Sequence, residues 1–217
     1  MVRRKKRLWM AAVADVVLVV AAVTVMTVVL FDRRPATSAP PTREAPDGWQ
    51  RELLTGIDLG APTGKVEIIE FMDLECPFCA QWAARLDTVL AEHPGQLRVV
   101  LHHFPLDNHP SAVPAAIALE CAERQLRARE MLKAILDRGR ELSTVDWPQI
   151  AGVAGVVDLE AFRACSALPS DSFPRIAYGK DLGMRSGVRG TPTIWVDGDV
   201  ITPSVIQLRD LVRDATR

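Results

Sequence analysis

Two thiols set two residues apart, Cys76-Pro77-Phe78-Cys79, are the part of this 217-residue chain best suited to covalent chemistry. Before them, Val66-Glu67-Ile68-Ile69-Glu70-Phe71-Met72 is apolar and β-branched and reads as a strand. After them, Ala80 to Leu86 reads as a helix. Phe78, Trp82, Leu86, Val89 and Leu90 recur at spacings of four, four, three and one, which places them on one helical face. Cys76 then stands at a helix N-terminus. Unpaired backbone N–H groups and the positive end of the helix dipole favour thiolate over thiol there. Cys79 lies one turn in on the same face, within reach of a disulfide. The expectation is redox chemistry, with Cys76 exposed and largely thiolate and Cys79 more buried. Zinc needs a second Cys/His pair, whereas Cys121 and Cys165 stand alone and no His is near in sequence. Haem attachment needs a His where the chain has Ala80. A purely structural disulfide across so small a loop removes little unfolded-state entropy.

A second signal lies downstream at Val188-Arg189-Gly190-Thr191-Pro192-Thr193-Ile194-Trp195-Val196-Asp197-Gly198. Pro192 directly precedes a strand-like run, Asp197-Gly198 is a hairpin signal, and Val200-Ile201-Thr202 reads as the partner strand. A Pro at a strand start is by itself often only an edge device.

Taken together, Glu70-Phe71-Met72-Asp73-Leu74-Glu75-Cys76-Pro77-Phe78-Cys79 and Gly190-Thr191-Pro192-Thr193 resemble the DsbA-like thiol–disulfide oxidoreductases, in their membrane-anchored bacterial branch. The resemblance covers roughly Gly56 to Arg217. It implies an α/β fold: a thioredoxin-like core with an inserted all-helical domain, here preceded by one N-terminal transmembrane helix. It implies a cis peptide before Pro192, packed against the cysteines, with Thr191, Pro192 and Arg189 meeting substrate. It gives Glu70 a buried role, relaying a proton for Cys79. Strand alternation alone leaves Glu70 equally able to face solvent. Asp73 also recurs in the family's pattern and reads as a cap of the helix or turn. Some DsbA-like relatives bridge their helical domain. Cys121 and Cys165 are therefore either a second disulfide or two small buried apolar residues. The Pro77-Phe78 pair differs from the Pro-His of the best-known oxidases and removes one positive influence on Cys76. Glu75 beside Cys76 is read as an exposed like charge of modest effect.

The chain divides by composition. Met1 to Arg7 is basic, and Leu8 to Phe31 is an apolar run long enough to span a bilayer, with the basic flank cytoplasmic. A cleaved signal peptide is the rival reading. Residues 32–47 are rich in Pro, Ala, Ser and Thr and read as a linker. Residues 48–217 are expected to form one domain outside the cytoplasm, with a helical insertion at about 111–183. Leu97 to Phe104 reads as a second strand. Within the insertion, Ala115, Ala116, Leu119, Ala122 and Leu126 make one apolar stripe, and Met131, Leu132, Ile135 and Leu136 another, stopped near Gly139. Asp146 and Asp158 are candidate caps for two further helices, and 171–183 reads as a fifth. Ser204 with Gln207 forms a capping box for a final helix. His102 and His103 are neighbours in a strand and must face opposite ways.

A net charge of −1 argues against nucleic acid. No metal or cofactor is expected. The reading is an oxidase that puts disulfides into secreted or envelope proteins, a monomer recycled by a membrane quinone-linked thiol oxidase. The alternatives are an extracytoplasmic reductase or repair enzyme and, in a different class, a thioredoxin-fold peptide-binding chaperone.

Overall fold

The β-branched run before the cysteines forms the central strand of a mixed sheet. The computed structural model describes Arg43–Gly139 and Glu141–Arg217. The expected anchor at Leu8 to Phe31 and most of the linker lie outside these residues. Among the described residues, no helix is long and apolar enough to cross a membrane. In chain order the elements are β1 (Arg43–Glu44), a 3-10 helix (Trp49–Leu54), β2 (Ile57–Asp58), β3 (Val66–Met72), α1 (Pro77–Glu92) and β4 (Leu97–His103). There follow α2 (Ala112–Glu123), α3 (Ala128–Leu136), α4 (Trp147–Val153), α5 (Leu159–Ser166), α6 (Pro174–Arg185), β5 (Thr193–Val196), β6 (Asp199–Val200) and α7 (Val205–Ala215).

The sheet runs β1-β6-β5-β3-β4-β2. β3 and β4 are parallel, from Val66 opposite Leu97 to Met72 opposite His103, so the chain must cross over between them, and α1 is that crossover. β5 is antiparallel to β3, with Glu70 opposite Ile194. Strand alternation sends Ile68 and Met72 into the larger core, beside Trp82, Leu86 and Val89 of α1 and Leu208 and Val212 of α7. Ile69 and Phe71 point the other way, into a smaller core with Val100, Leu182 and Trp195. Glu70 shares a face with Ile68 and Met72 and therefore lies beneath α1. Ser204 and Gln207 close the expected capping box on α7. Asp197 and Gly198 both take positive φ, 49° and 94°, as a two-residue hairpin between twisted strands requires.

Several boundaries differ from the sequence reading. The linker does not run to Asp47, because Arg43 and Glu44 pair with Val200 and Asp199 at the sheet edge. The hairpin partner strand is Asp199–Val200 rather than Val200 to Thr202. The insertion ends earlier than 183. The expected fifth helix is a 3-10 turn at Ser170–Ser172 followed by α6, and α6 packs on the sheet. A Cβ at Gly179 would lie 2.6 Å from the His103 carbonyl oxygen, so only glycine lets this helix approach β4. Leu126 leaves its stripe. It follows the end of α2, takes φ of 59°, and is 86% exposed. Phe78 also leaves its stripe, at 64% exposed, because the first turn of α1 overhangs the end of the sheet. Asp146 occupies the N-cap of α4 without a side-chain hydrogen bond, whereas Asp158 caps α5 by accepting from the Ala161 N–H.

Candidate active site

Pro77 fixes the first helical position of α1, which makes Cys76 the N-cap residue in an extended conformation. The Cys76 carbonyl accepts from the N–H groups of Cys79 at 3.1 Å and Ala80 at 3.3 Å, while its own N–H donates to the Asp73 carbonyl at 3.1 Å. The Thr191-Pro192 peptide is cis. It places the Thr191 carbonyl 3.4 Å from the Cys76 sulfur. The turn is held by the Thr193 hydroxyl, which donates to the Gly190 carbonyl at 2.8 Å.

Both thiols are free. The Cys76 pKa falls to about 5, chiefly through the hydrogen bond from Cys79, helped by Thr191 and by the backbone N–H groups of Cys79 and Phe78 and opposed by burial. Cys79 is pushed above the ordinary thiol range, first by burial and then by Cys76 beside it. The pair is thus split into a nucleophile and a reserve thiol. One expectation is corrected: Cys76 is not exposed but 5% accessible, because the cis-Pro turn lies over it. Exposure at this end belongs to Phe78 and to Arg189, two residues before Thr191. Pro77 is half-buried.

Glu70 is buried. Trp82 Nε1 donates to Glu70 Oε2 at 2.7 Å, while Oε1 has no partner among the described residues. Burial raises the carboxyl from 4.5 to about 7, against the Trp82 hydrogen bond and with a smaller push from Asp87. Glu70 lines a cleft of about 120 Å³ between α1 and α3, with Ala83, Ala84 and Leu132. A protonated or deprotonated carboxyl is therefore accessible near neutral pH, as a general acid or base requires.

Glu75 is not a loose charge beside Cys76. Its carboxylate accepts from the Ser111 N–H at 2.7 Å, just before α2. That interaction ties the negative charge to the insertion. Asp73 does more than cap a turn. It is buried and accepts from the Glu75 N–H and the Leu106 N–H, each at 2.7 Å, and from His109 Nδ1 at 2.9 Å. Sequence gave no sign of His109 here, because it stands 36 residues from Asp73 in a loop without periodicity. His102 and His103 do face opposite ways. His102 bonds the Glu52 carbonyl, and His103 bonds Glu120, which is also held by Arg175. Cys121 in α2 and Cys165 in α5 are joined in a disulfide, their Cα atoms 5.8 Å apart. Both are buried in helices of the insertion.

This arrangement has an anionic sulfur at a helix N-terminus, a buried second sulfur three residues on, and a main-chain edge beside them. A substrate thiolate that attacks Cys76 of the oxidised pair expels Cys79 as thiolate, and the reverse steps reduce a substrate disulfide.

A family model described as thioredoxin matches residues 52–214. Among curated proteins, the chain is 32% identical over 141 residues to a Na(+)/H(+) antiporter NhaA 1 of Mycolicibacterium gilvum. The match covers 64% of this chain and 23% of that protein, so the chain spans about a quarter of the length of such relatives. Among solved structures, the thiol-disulfide exchange protein alpha-DsbA2 of Wolbachia pipientis superposes with a TM-score of 0.66 at 18% identity, covering 76% of this chain and 91% of that one. Oxidised BdbD of Bacillus subtilis gives 0.64 at 14%, covering 80% and 96%. At these identities the superpositions establish a shared fold.

Proposed function

The chain belongs to the thioredoxin family, and from that premise we propose that it is a DsbA-like thiol–disulfide oxidoreductase working as an oxidase on secreted and envelope proteins. The observation that carries this reading is the split of the two thiols. Cys76 is drawn down to about 5, whereas Cys79 is driven up. A stabilised thiolate lowers the free energy of the reduced enzyme, which makes the oxidised enzyme the stronger oxidant.

In the proposed cycle a substrate thiolate attacks Cys76 Sγ. The new S–S bond forms as the Cys76–Cys79 bond breaks, and its electron pair leaves on Cys79, which takes up a proton. Glu70, buried under α1 with its carboxyl raised to about 7, is the proposed proton donor. A second substrate thiolate then attacks the substrate sulfur of the mixed disulfide. It expels Cys76 as thiolate, and the substrate carries away the disulfide. The enzyme has gained two electrons, which a membrane quinone-linked thiol oxidase would remove.

The cis-Pro turn of Thr191 and Pro192, with Arg189 at its rim, is the proposed seat of an extended substrate segment. Placement outside the cytoplasm behind a single N-terminal anchor is part of this proposal. It is supported by the apolar run Leu8 to Phe31 and by the Cys121–Cys165 disulfide, which suits an oxidising compartment. The likeness to part of a Na(+)/H(+) antiporter is in keeping with work beside a membrane. Ion transport is not carried over, since the matched stretch is 23% of that protein.

The test is oxidation of a reduced, unfolded model protein by the oxidised full-length chain, followed by return of that protein's activity. Rapid stoichiometric oxidation is expected. Failure to oxidise it, with ready reduction of a disulfide substrate by the reduced chain, would move the assignment to a reductase.

A further inference from the structure

By its spacing Trp82 is one more apolar residue of the α1 stripe, yet it carries an N–H that must find a partner once buried. Trp82 and Glu70 are both buried, and Trp82 Nε1 donates to Glu70 Oε2 at 2.7 Å. The sheet offers this acid no polar side chain, since its ladder neighbours are Leu101 on β4 and Ile194 on β5. Asp87 of α1 and Arg129, Lys133 and Asp137 of α3 stand with it around the cleft. They are paired among themselves, Asp87 with Arg129 at 3.1 Å and Lys133 with Asp137 at 2.9 Å. Trp82 is therefore the one hydrogen-bond partner of the Glu70 carboxyl among the described residues.

That single bond decides where the proton sits. An indole N–H donates and cannot accept. The oxygen it holds must stay an acceptor, and an oxygen already bearing a proton is the poorer one. The proton of the neutral acid is thus carried by Oε1, which has no partner among the described residues to retain it. Once the proton has left, the indole holds the carboxylate, and a hydrogen bond to a charged group is the stronger kind. Burial raises the carboxyl to about 7, and the Trp82 bond works against that rise. The cleft beside the acid, about 120 Å³, has room for water, which needs roughly 10–15 Å³, so solvent can return the proton.

We propose that Trp82 is a positioning residue for proton transfer in thiol–disulfide exchange, its indole N–H holding Glu70 Oε2 so that the proton is released from Oε1. The proposal rests on the donor role given to Glu70 above but not on the direction of exchange. As the Cys76–Cys79 bond breaks, its electron pair passes to Cys79, the Oε1 proton follows, and Glu70 is left as a carboxylate held by Trp82.

The test combines a titration with a rate profile on the full-length chain. The Trp82 indole N–H signal is followed by NMR against pH. It is expected to shift with a midpoint near pH 7 in wild type and to stay put in Glu70→Gln, where nothing titrates. Reduction of the oxidised chain by dithiothreitol is then timed by stopped flow across the same range. The ratio of wild-type to Glu70→Gln rates should fall as pH rises through about 7, because only the neutral acid donates. Trp82→Phe keeps an aromatic ring and removes the N–H. Measured against the double variant with Glu70→Gln, its ratio should fall about one pH unit higher, a tenfold weaker acid, the scale of one hydrogen bond to a charged group. A loss of packing alone would lower the rates without moving that midpoint. An unmoved midpoint in Trp82→Phe, or an indole signal that does not titrate in wild type, overturns the proposal. If Trp82→Phe does not fold, the wild-type indole titration decides alone. Equal rates for wild type and Glu70→Gln at every pH overturn the donor role of Glu70 itself, a failure distinct from the others.

Discussion

The molecule carries two cysteine pairs, and they differ in nearly every physical respect. Cys76 and Cys79 are three residues apart, at the end of a helix where the backbone still has N–H groups to offer. Cys121 and Cys165 are 44 residues apart, each inside a helix and packed among apolar side chains. Closing the first pair restrains almost nothing in the unfolded chain, whereas closing the second restrains a long loop. Donors surround the first pair and make one sulfur an anion near pH 5. The second pair has no such field. Two bonds of one chemical type are thereby given opposite tasks, one made to open and one made to stay shut.

The largest effect that tests this contrast is loss of the nucleophile. Cys76→Ser should abolish oxidation of a reduced model protein, by at least about a thousandfold, with the fold intact by circular dichroism. Retained activity would show that the exposed end of α1 is not where exchange occurs. Next is the double change Cys121→Ala with Cys165→Ala. It should cost about 4 kcal/mol of unfolding free energy by the loop-entropy relation, read by denaturant titration, and leave the exchange rate of the folded protein unchanged. A large loss of exchange rate would mean that the two pairs are not separate.

Glu70 gives a third test, slightly smaller. Its carboxyl is raised from 4.5 to about 7, so the folded protein holds this proton more tightly than the unfolded chain does. Stability must then fall as pH rises from about 4.5 through about 7 and level off beyond. Glu70→Gln keeps an acceptor for Trp82 and removes the titration. It should be about 3 kcal/mol more stable than wild type at pH 8 and equal to it at pH 4. A constant difference at both pH values would contradict the assignment of the buried acid. The smallest effect is in the potential. Above pH about 5 the reduced pair carries one thiolate and below it none. The Cys76–Cys79 potential should therefore fall by about 59 mV per pH unit below that point and about 30 mV above it.

The sequence revealed those parts of the site whose order along the chain is also their order in space. The strand, the thiols and the helix are one continuous segment, and alternation from Ile68 to Met72 allowed Glu70 a place under the helix without requiring it. Thr191 lies 115 residues from Cys76, with Pro192 next to it, and only the family resemblance brought them to it. His109 was out of reach, since nothing in a Pro- and Asn-containing loop says which carboxylate it will meet. Leu126 and Phe78 misled for one reason. A helical period holds only while there is a partner surface beneath it, and both residues stand where that surface ends. The pairing of Arg43 and Glu44 at the sheet edge was hidden in the same way, because hydrogen bonds made by the backbone leave little trace in side-chain pattern.

The central claim is that the field at the end of α1 makes the Cys76–Cys79 bond an oxidant. Its most direct test is a glutathione-buffer titration of that bond at pH 7, read by thiol trapping. The account predicts a potential above about −200 mV, while a value near thioredoxin's, roughly −270 mV, would contradict it.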